Sequence, residues 1–136
     1  MYKYEAMRET LDKRIPEILK TERYTEMIKL WGDTEIPTYC YYETLEHLFI
    51  DLLNGDVKDD KLLERILDFM EDMANSEDEE VQHLLVVQIL EGLFGLDYDV
   101  FSRMQYKLLR PKTLTHLLRL KGYFRWPEPP ECNRKV

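Results

Sequence analysis

The stretch from Ser76 to Gly95, SEDEEVQHLLVVQILEGLFG, decides the predicted fold of this chain. From Val81 to Phe94 its apolar residues fall at all angles of a helical wheel and leave no continuous polar stripe. A helix that is hydrophobic all round is buried in the core of a protein. Ser76 is placed to cap this helix, with Glu79 three residues later in a capping-box arrangement. We therefore predict a buried central helix over residues 76–94.

The segment that precedes this helix has the clearest amphipathic pattern in the chain. Asp59 or Asp60 can cap it, and it runs to about Asn75. Its apolar residues share one arc of the wheel: Leu62, Leu63, Ile66, Leu67, Phe69, Met70, Met73 and Ala74. Only a few residues separate the two helices, so we expect an antiparallel hairpin whose pattern is similar to one unit of a HEAT-type helical array.

Further helices are predicted on both sides of this hairpin. The predicted segments are Tyr4 to Arg14, Pro16 to Trp31 with Gly32 as its stop, Tyr41 to Asn54, Asp97 or Asp99 to Leu109, and Pro111 to Gly122, with Asp33 to Cys40 as a linker. Leu114, Leu117 and Leu118 are expected to face inward, and Tyr123, Phe124 and Trp126 to seal the core. Ile50 falls on the polar face of its helix, where it has no obvious partner.

The fold class that follows is all-α. No run alternates apolar and polar residues over a convincing length, so little or no sheet is expected. The length suits one domain, which we place at residues 1–126 as a bundle of about six to seven helices. Residues 127–136 are polar and rich in proline, which predicts a disordered tail.

Composition favours a cytoplasmic protein. The chain has 136 residues, a net charge of −8 and two cysteines that lie far apart, Cys40 and Cys132, so a disulfide framework is not expected. The N-terminal residues lack the apolar core of a signal peptide, and the longest near-apolar run is far shorter than the ~20 residues that span a bilayer.

Charge is distributed unevenly along the chain. Residues 33–101 carry three Lys/Arg against nineteen Asp/Glu, whereas residues 102–126 carry seven Lys/Arg and no acid. The acidic body argues against nucleic acid as the main ligand, because phosphate binding draws on clustered Lys/Arg. The basic stretch either forms a small phosphate-binding patch or packs against the acidic part of the same fold, and we favour the second.

Catalytic and metal motifs are not apparent in the sequence. His47, His83 and His116 lie on three predicted helices without a ligand at zinc spacing. The turn at residues 56–60 lacks the glycine and glutamate of a calcium loop, and no phosphate loop or nucleophile elbow occurs. We therefore expect neither an enzyme nor a cofactor or metal. Glu91 lies in the predicted central helix and is either a structural acceptor or a functional acid; we favour the structural role.

Acidic side chains on the hairpin are the strongest candidates for a binding surface. Glu64 with Asp68 and Asp68 with Asp72 are like-charged pairs at i, i+4, which local helix stability does not explain. The predicted partner-binding residues are Glu64, Asp68, Glu71, Asp72, Glu77, Asp78, Glu79 and Glu80. Such a field attracts a basic partner, although the alternative is an ordinary solvated acidic surface. Trp31, Tyr39, Tyr41 and Tyr42 are candidates for interface anchors or for packing of the linker.

The order of these features resembles a family of small bacterial all-helical proteins of unassigned function. The resemblance covers nearly the whole chain up to Trp126. It depends on Pro-Glu after the first helix, Trp-Gly-Asp before Pro37, the central SEDEEVQ..LVV.ILE.L stretch and Pro-Lys-Thr at the start of the last helix, although the residue before that last proline is Arg110 where glycine is expected. Members are similar to the immunity proteins that accompany bacterial toxins, which implies that role and no catalytic residues.

The function expected on these grounds is binding to another protein. We expect a monomer or weak homodimer in the cytosol. Given the immunity role that the resemblance implies, its acidic surface would cover the active cleft of a basic toxin, such as a nuclease, so that carboxylates replace substrate phosphates. The alternative is a general scaffold or adaptor that uses an apolar groove beside Ile50 and Trp31. An enzyme is the third alternative.

Overall fold

The computed structural model describes residues 2–32 and 35–129, and the described part is an all-α bundle. Its helices are α1 Met7–Arg14, α2 Glu22–Trp31, α3 Thr38–Tyr41, α4 Glu43–Asn54, α5 Asp60–Ala74, α6 Glu79–Leu84, α7 Tyr98–Arg103 and α8 Pro111–Arg119. Short 3₁₀-helical or π-helical segments extend several of them. Within the described residues the only β-type pairing is one isolated bridge between Lys121 and Phe124. The predicted fold class is confirmed, and the residues from 130 onward in the predicted tail lie outside the described ranges.

Helix α5 contributes the largest apolar face of the core. All eight residues of its predicted apolar arc are buried. The Asp59 side chain caps the helix by accepting a hydrogen bond from the Leu62 N–H at 3.0 Å. Helix α4 lies in the same core with Leu45, Leu48 and Phe49 among its buried residues. In both helices the buried face is the one predicted from the sequence, because each has a single continuous apolar stripe.

The central stretch is helical, but it is not one regular helix. Helix α6 passes into a π-helical turn at Leu85–Ile89 and then into a 3₁₀-helical segment at Leu90–Gly95. The π-helical turn packs against α4 and α5. Val86, Val87 and Gln88 are only partly buried, so the prediction of burial on every side was wrong. The winding changes because a uniform helix cannot turn all of these apolar residues toward neighbours that lie on some sides only.

The predicted cap of that stretch was also wrong. Asp78, not Ser76, occupies the N-cap position, and its carboxylate accepts the Glu80 N–H at 3.0 Å. Ser76 is buried and donates its hydroxyl hydrogen to the Tyr2 carbonyl at 3.1 Å. Ser76 therefore ties the hairpin turn to the N-terminal segment instead of starting the helix.

The segment Pro16 to Trp31 is two elements where one helix was predicted. Pro16–Lys20 forms a 3₁₀ turn, and Thr21 has an extended backbone that breaks the path. The Thr21 hydroxyl accepts the Tyr24 N–H at 3.2 Å and so caps α2. Gly32 ends α2 as predicted, and the predicted linker contains the short helix α3.

Three side-chain placements differ from prediction in the rest of the bundle. Ile50 is partly buried and packs against the core, although it was expected to lack a partner. Leu118 is 45% exposed, because α8 turns Thr113 and His116 inward instead. Tyr123 is exposed, whereas Phe124 and Trp126 do cover the core by packing on Phe94.

None of the described helices combines the length and the apolar character that a membrane span requires.

We predict that Gly55→Ala destabilises the protein, because Gly55 ends α4 at φ +82°, in the left-handed region. A residue with a Cβ pays roughly 1–2 kcal/mol there. Urea unfolding of the variant should show a loss of that size. Gly95→Ala is the matched control: its Cβ would meet nothing within 4 Å and its φ is not positive. Equal losses in both variants would contradict the conformational explanation.

Candidate protein-binding surface

The outer face of α5 holds four of the eight predicted partner-binding carboxylates, and each has an intramolecular partner. Arg110, just before α8, donates from Nη2 to Glu64 and from Nε to Asp68 at 3.2 Å. One cation thus lies against both members of the like-charged pair. The repulsion between Glu64 and Asp68 is therefore offset by a cation of the same chain. A role of these two residues in partner binding stays a prediction.

Glu71 acts as the N-terminal cap of another helix. Its carboxylate accepts the backbone N–H groups of Lys112 and Thr113 at 3.0 and 2.9 Å, and the Thr113 hydroxyl at 2.9 Å. The first turn of a helix has N–H groups without partners and a positive dipole end, so a carboxylate there is stabilising. Burial works to raise the pKa of Glu71, but these hydrogen bonds outweigh it and hold the pKa below its usual value.

Asp72 and Asp78 connect the hairpin to the N-terminal segment. Asp72 forms an ion pair with Arg14 at 2.9 Å. Asp78 accepts the Tyr4 N–H at 2.9 Å, and this hydrogen bond is the main reason that the pKa of Asp78 is lowered. Five of the eight predicted residues therefore connect separate parts of the fold: Glu64, Asp68, Glu71, Asp72 and Asp78.

The remaining three carboxylates point into solvent. Glu77, Glu79 and Glu80 are exposed, and their side chains form no hydrogen bond or ion pair within the described part of the chain. They surround Asp78 at the start of α6. Because Asp78 and Ser76 hold this turn to Tyr4 and Tyr2, the three carboxylates are carried on an anchored backbone.

A second candidate surface, a cleft between α2 and α4, was only partly foreseen. Its volume is about 460 Å³, and its lining combines Met27, Leu30, Trp31 and Cys40 with Arg23, Glu26 and Glu43. Leu30 is 82% exposed. Trp31 was proposed as an anchor from the sequence, but Leu30 was not. The available signal was that Leu30 lies outside the apolar stripe of α2.

The neighbouring tyrosines pack on the core, and two of the three are buried there. Tyr41 and Tyr42 are buried, and their hydroxyl groups donate to Asp12 and to the Met7 carbonyl, the second at 2.7 Å. Tyr39 is partly buried, with its hydroxyl 2.9 Å from Nδ1 of His83. The aromatic run therefore packs the α3 segment onto the core, which is the alternative that the sequence left open.

Glu46, on α4, lies against Gly92 in the central stretch. A Cβ on Gly92 would overlap the Glu46 carboxylate, so this side chain lies directly against the glycine. Burial, followed by the charge of Glu43, raises the pKa of Glu46 to about 7, against the opposing effect of Arg23. This packing of α4 on the 90–95 segment was not visible from periodicity.

The described residues show no arrangement suited to a metal. Within residues 2–32 and 35–129, no group of three or more His, Cys, Asp or Glu side chains is placed to hold an ion. His47 Nε2 accepts from Arg23 at 2.7 Å, and His116 Nε2 lies 3.4 Å from the Ala74 carbonyl. Glu91 is partly buried and has no side-chain hydrogen bond in the described chain, so the expected acceptor role is not seen there.

Comparison with known proteins identifies a family. A family model described as Domain of unknown function (DUF7674) matches residues 8–123, which is most of the chain. The chain therefore belongs to that family. No curated protein and no solved structure matches it.

We predict that Glu71→Ala destabilises the protein by about 1–2 kcal/mol, because it removes the cap of α8 and leaves the buried Thr113 hydroxyl without its acceptor. Denaturant unfolding measures the loss, and Glu77→Ala, which removes an unpaired carboxylate, is the control. Because the folded-state pKa is lowered, the difference from the native protein should be full at neutral pH and disappear as the pH falls through that pKa. A difference independent of acid would contradict the capping role.

We predict the opposite pH dependence for Glu46→Gln. A raised folded-state pKa means that the native carboxyl favours folding when it is protonated and disfavours it when charged. The variant should match the native protein near pH 4 and exceed its stability at pH 8, by roughly 1–2 kcal/mol after allowance for solvent screening. Unfolding curves at the two pH values test this. A variant that is less stable at pH 8 would refute the expectation.

Proposed function

We propose that this member of the DUF7674 family is a protein-binding module that neutralises a basic protein, such as a nuclease toxin, through an acidic surface. The observation that carries the proposal is the exposed group Glu77, Glu79 and Glu80, which has no cationic partner in the described chain although other hairpin carboxylates do. We refer to these three residues as the acidic turn. The resemblance to toxin immunity proteins supports the same role.

The acidic turn suits this role for two physical reasons. Its backbone is held at both Ser76 and Asp78, so little ordering of the main chain is needed when a partner binds. Its three carboxylates form no ion pair with the residues that the structure describes, so they can attract Lys and Arg of the partner over a screening length of about 8 Å at physiological salt. In the proposed complex these carboxylates take the positions of substrate phosphates.

The other five predicted residues have a supporting role in the proposal. Glu64, Asp68 and Asp72 keep 54–61% of their side chains exposed despite their ion pairs, so they can still contact a partner at its edge. Surface ion pairs are worth about 0–1 kcal/mol, so exchange for a cation of the partner is not costly. Glu71 and Asp78 are better regarded as part of the framework. The proposal includes a monomer or weak homodimer in the cytoplasm.

An adaptor is the second candidate function, and the cleft between α2 and α4 favours it. Exposed Leu30 beside Trp31 and Met27 provides the aromatic and aliphatic surface on which binding energy concentrates. A partner bound there would be recognised mainly by apolar burial. Its affinity would therefore depend little on salt.

The test uses the product of the open reading frame next to this gene, since an immunity protein is normally encoded beside its toxin. Glu77→Lys, Glu79→Lys and Glu80→Lys combined should lower the association rate at least tenfold at low salt and leave the circular dichroism unchanged. Leu30→Glu is the matched control in the other surface. Binding that resists the triple change but is abolished by Leu30→Glu, with little salt dependence, would replace the immunity proposal by the adaptor. Absence of any binding to that product would refute the toxin partner.

A further inference from the structure

A polar cleft of about 240 Å³ lies between α8 and the turn that joins α5 to α6. One wall is a single face of α8, formed by residues spaced i, i+3, i+4 and i+7: Lys112, Thr115, His116 and Arg119. The opposite wall includes Asn75 and Gln82. The cleft is separate from the acidic turn and from the cleft between α2 and α4.

The charge of this cleft is positive in a protein that is strongly acidic. Lys112 and Arg119 both line it, and no carboxylate does. Arg110, on the same stretch of chain, pairs with carboxylates of α5, but neither Lys112 nor Arg119 forms an ion pair with any described residue. Two cations that line one small cavity, with no carboxylate among its lining residues, suit the binding of an anion.

The neutral polar groups in the opposite wall are oriented by hydrogen bonds to the hairpin turn. The Asn75 amide donates to the Glu71 carbonyl at 2.9 Å, and it also hydrogen-bonds the Glu71 carboxylate, which helps to lower the pKa of that group. The Gln82 amide donates one hydrogen to the Ser76 carbonyl at 2.6 Å and has a second N–H. Because the first hydrogen bond fixes the Gln82 side chain, its second N–H is available to a ligand at little entropic cost.

His116 is the reporter inside the cleft. Its Nε2 donates to the Ala74 carbonyl at 3.4 Å, which leaves Nδ1 as the site of the second proton. Burial is the main reason that its pKa is lowered; the charges of Arg119 and Lys112 add to this, while the Ala74 hydrogen bond and Glu71 oppose it. Glu71 itself is occupied by the N–H groups at the start of α8. A bound anion would reduce the cationic field and favour protonation of the ring.

We propose that this cleft binds a small oxyanion of the phosphate class, held by Lys112 and Arg119 with support from Gln82 and His116. A cavity of this size is below the roughly 300–1,000 Å³ of pockets for drug-sized ligands, which favours a single phosphoryl-sized group. The ligand is inorganic phosphate itself or a phosphoryl group carried on a larger molecule. The inference does not depend on the proposed function.

The experiment is a titration of the full chain with inorganic phosphate at constant ionic strength, followed by the imidazole C2–H signals in NMR. The chain has three histidines, so His47 and His83 are internal controls. We expect the His116 signal to shift in a saturable way and the other two to stay in place. With sulfate, whose charge is constant over the range, the measured pKa of His116 should rise. O-phosphoserine in place of phosphate distinguishes a carried phosphoryl group, if it binds equally or better, from free phosphate, if it does not.

Variants decide whether the cleft itself is responsible. Lys112→Gln combined with Arg119→Gln should weaken phosphate binding at least tenfold, whereas Lys107→Gln combined with Arg125→Gln removes the same charge from other exposed positions and should not. Circular dichroism checks the fold of both, and Arg119→Gln alone serves if the pair does not fold. Equal weakening by both pairs, or a shift of all three histidine signals together, would reduce the effect to general charge and overturn the site. Absence of a saturable shift would overturn it as well.

Discussion

The docking of the basic C-terminal segment on the acidic face of α5 is the interaction on which the arrangement of this bundle depends. Glu71 caps α8 with three hydrogen bonds, and Arg110 contacts both Glu64 and Asp68. Together they fix where α8 begins and which of its faces meets α5. The basic segment 102–126 thus pairs with carboxylates of the acidic segment 33–101. Much of the negative charge seen in the sequence is therefore neutralised within the chain.

This docking also determines which charges remain for binding. On the hairpin, Asp72 and Asp78 hold the N-terminal segment, so the unpaired carboxylates are concentrated in the acidic turn. On α8, Lys112 and Arg119 line the polar cleft and form no ion pair with the described residues, whereas Arg110 pairs with α5. Opposite potentials therefore occur near the same hairpin turn, each with a different class of ligand.

The like-charged pair on α5 is stabilised by a cation from a distant part of the chain. Glu64 and Asp68 destabilise an isolated helix, and from the sequence this suggested a surface kept for a partner. Arg110 offers a closer explanation, because a cation from another element stabilises the pair within the fold. Like charges at neighbouring positions of one helix indicate that a cation lies nearby. They do not show whether that cation belongs to the same chain or to another molecule.

The sequence by itself determined the all-α class, the C-terminal end of α4, both ends of α5 to within a residue and the buried arc of α5, because those features depend on periodicity and on local caps such as Asp59 and Gly55. The start of α4 was wrong, because the predicted helix began at Tyr41, which ends α3 instead. Only the tertiary structure decided that Asp78 replaces Ser76 as a cap and that Glu46 packs on Gly92. It also decided that the central stretch changes from α-helical to π-helical and then to 3₁₀-helical winding. These depend on neighbours distant in the chain, whose approach no local pattern encodes. The spacing of Lys112, Thr115, His116 and Arg119 was visible from the start, but its meaning required the turn at Asn75 and Ser76 to be placed opposite it.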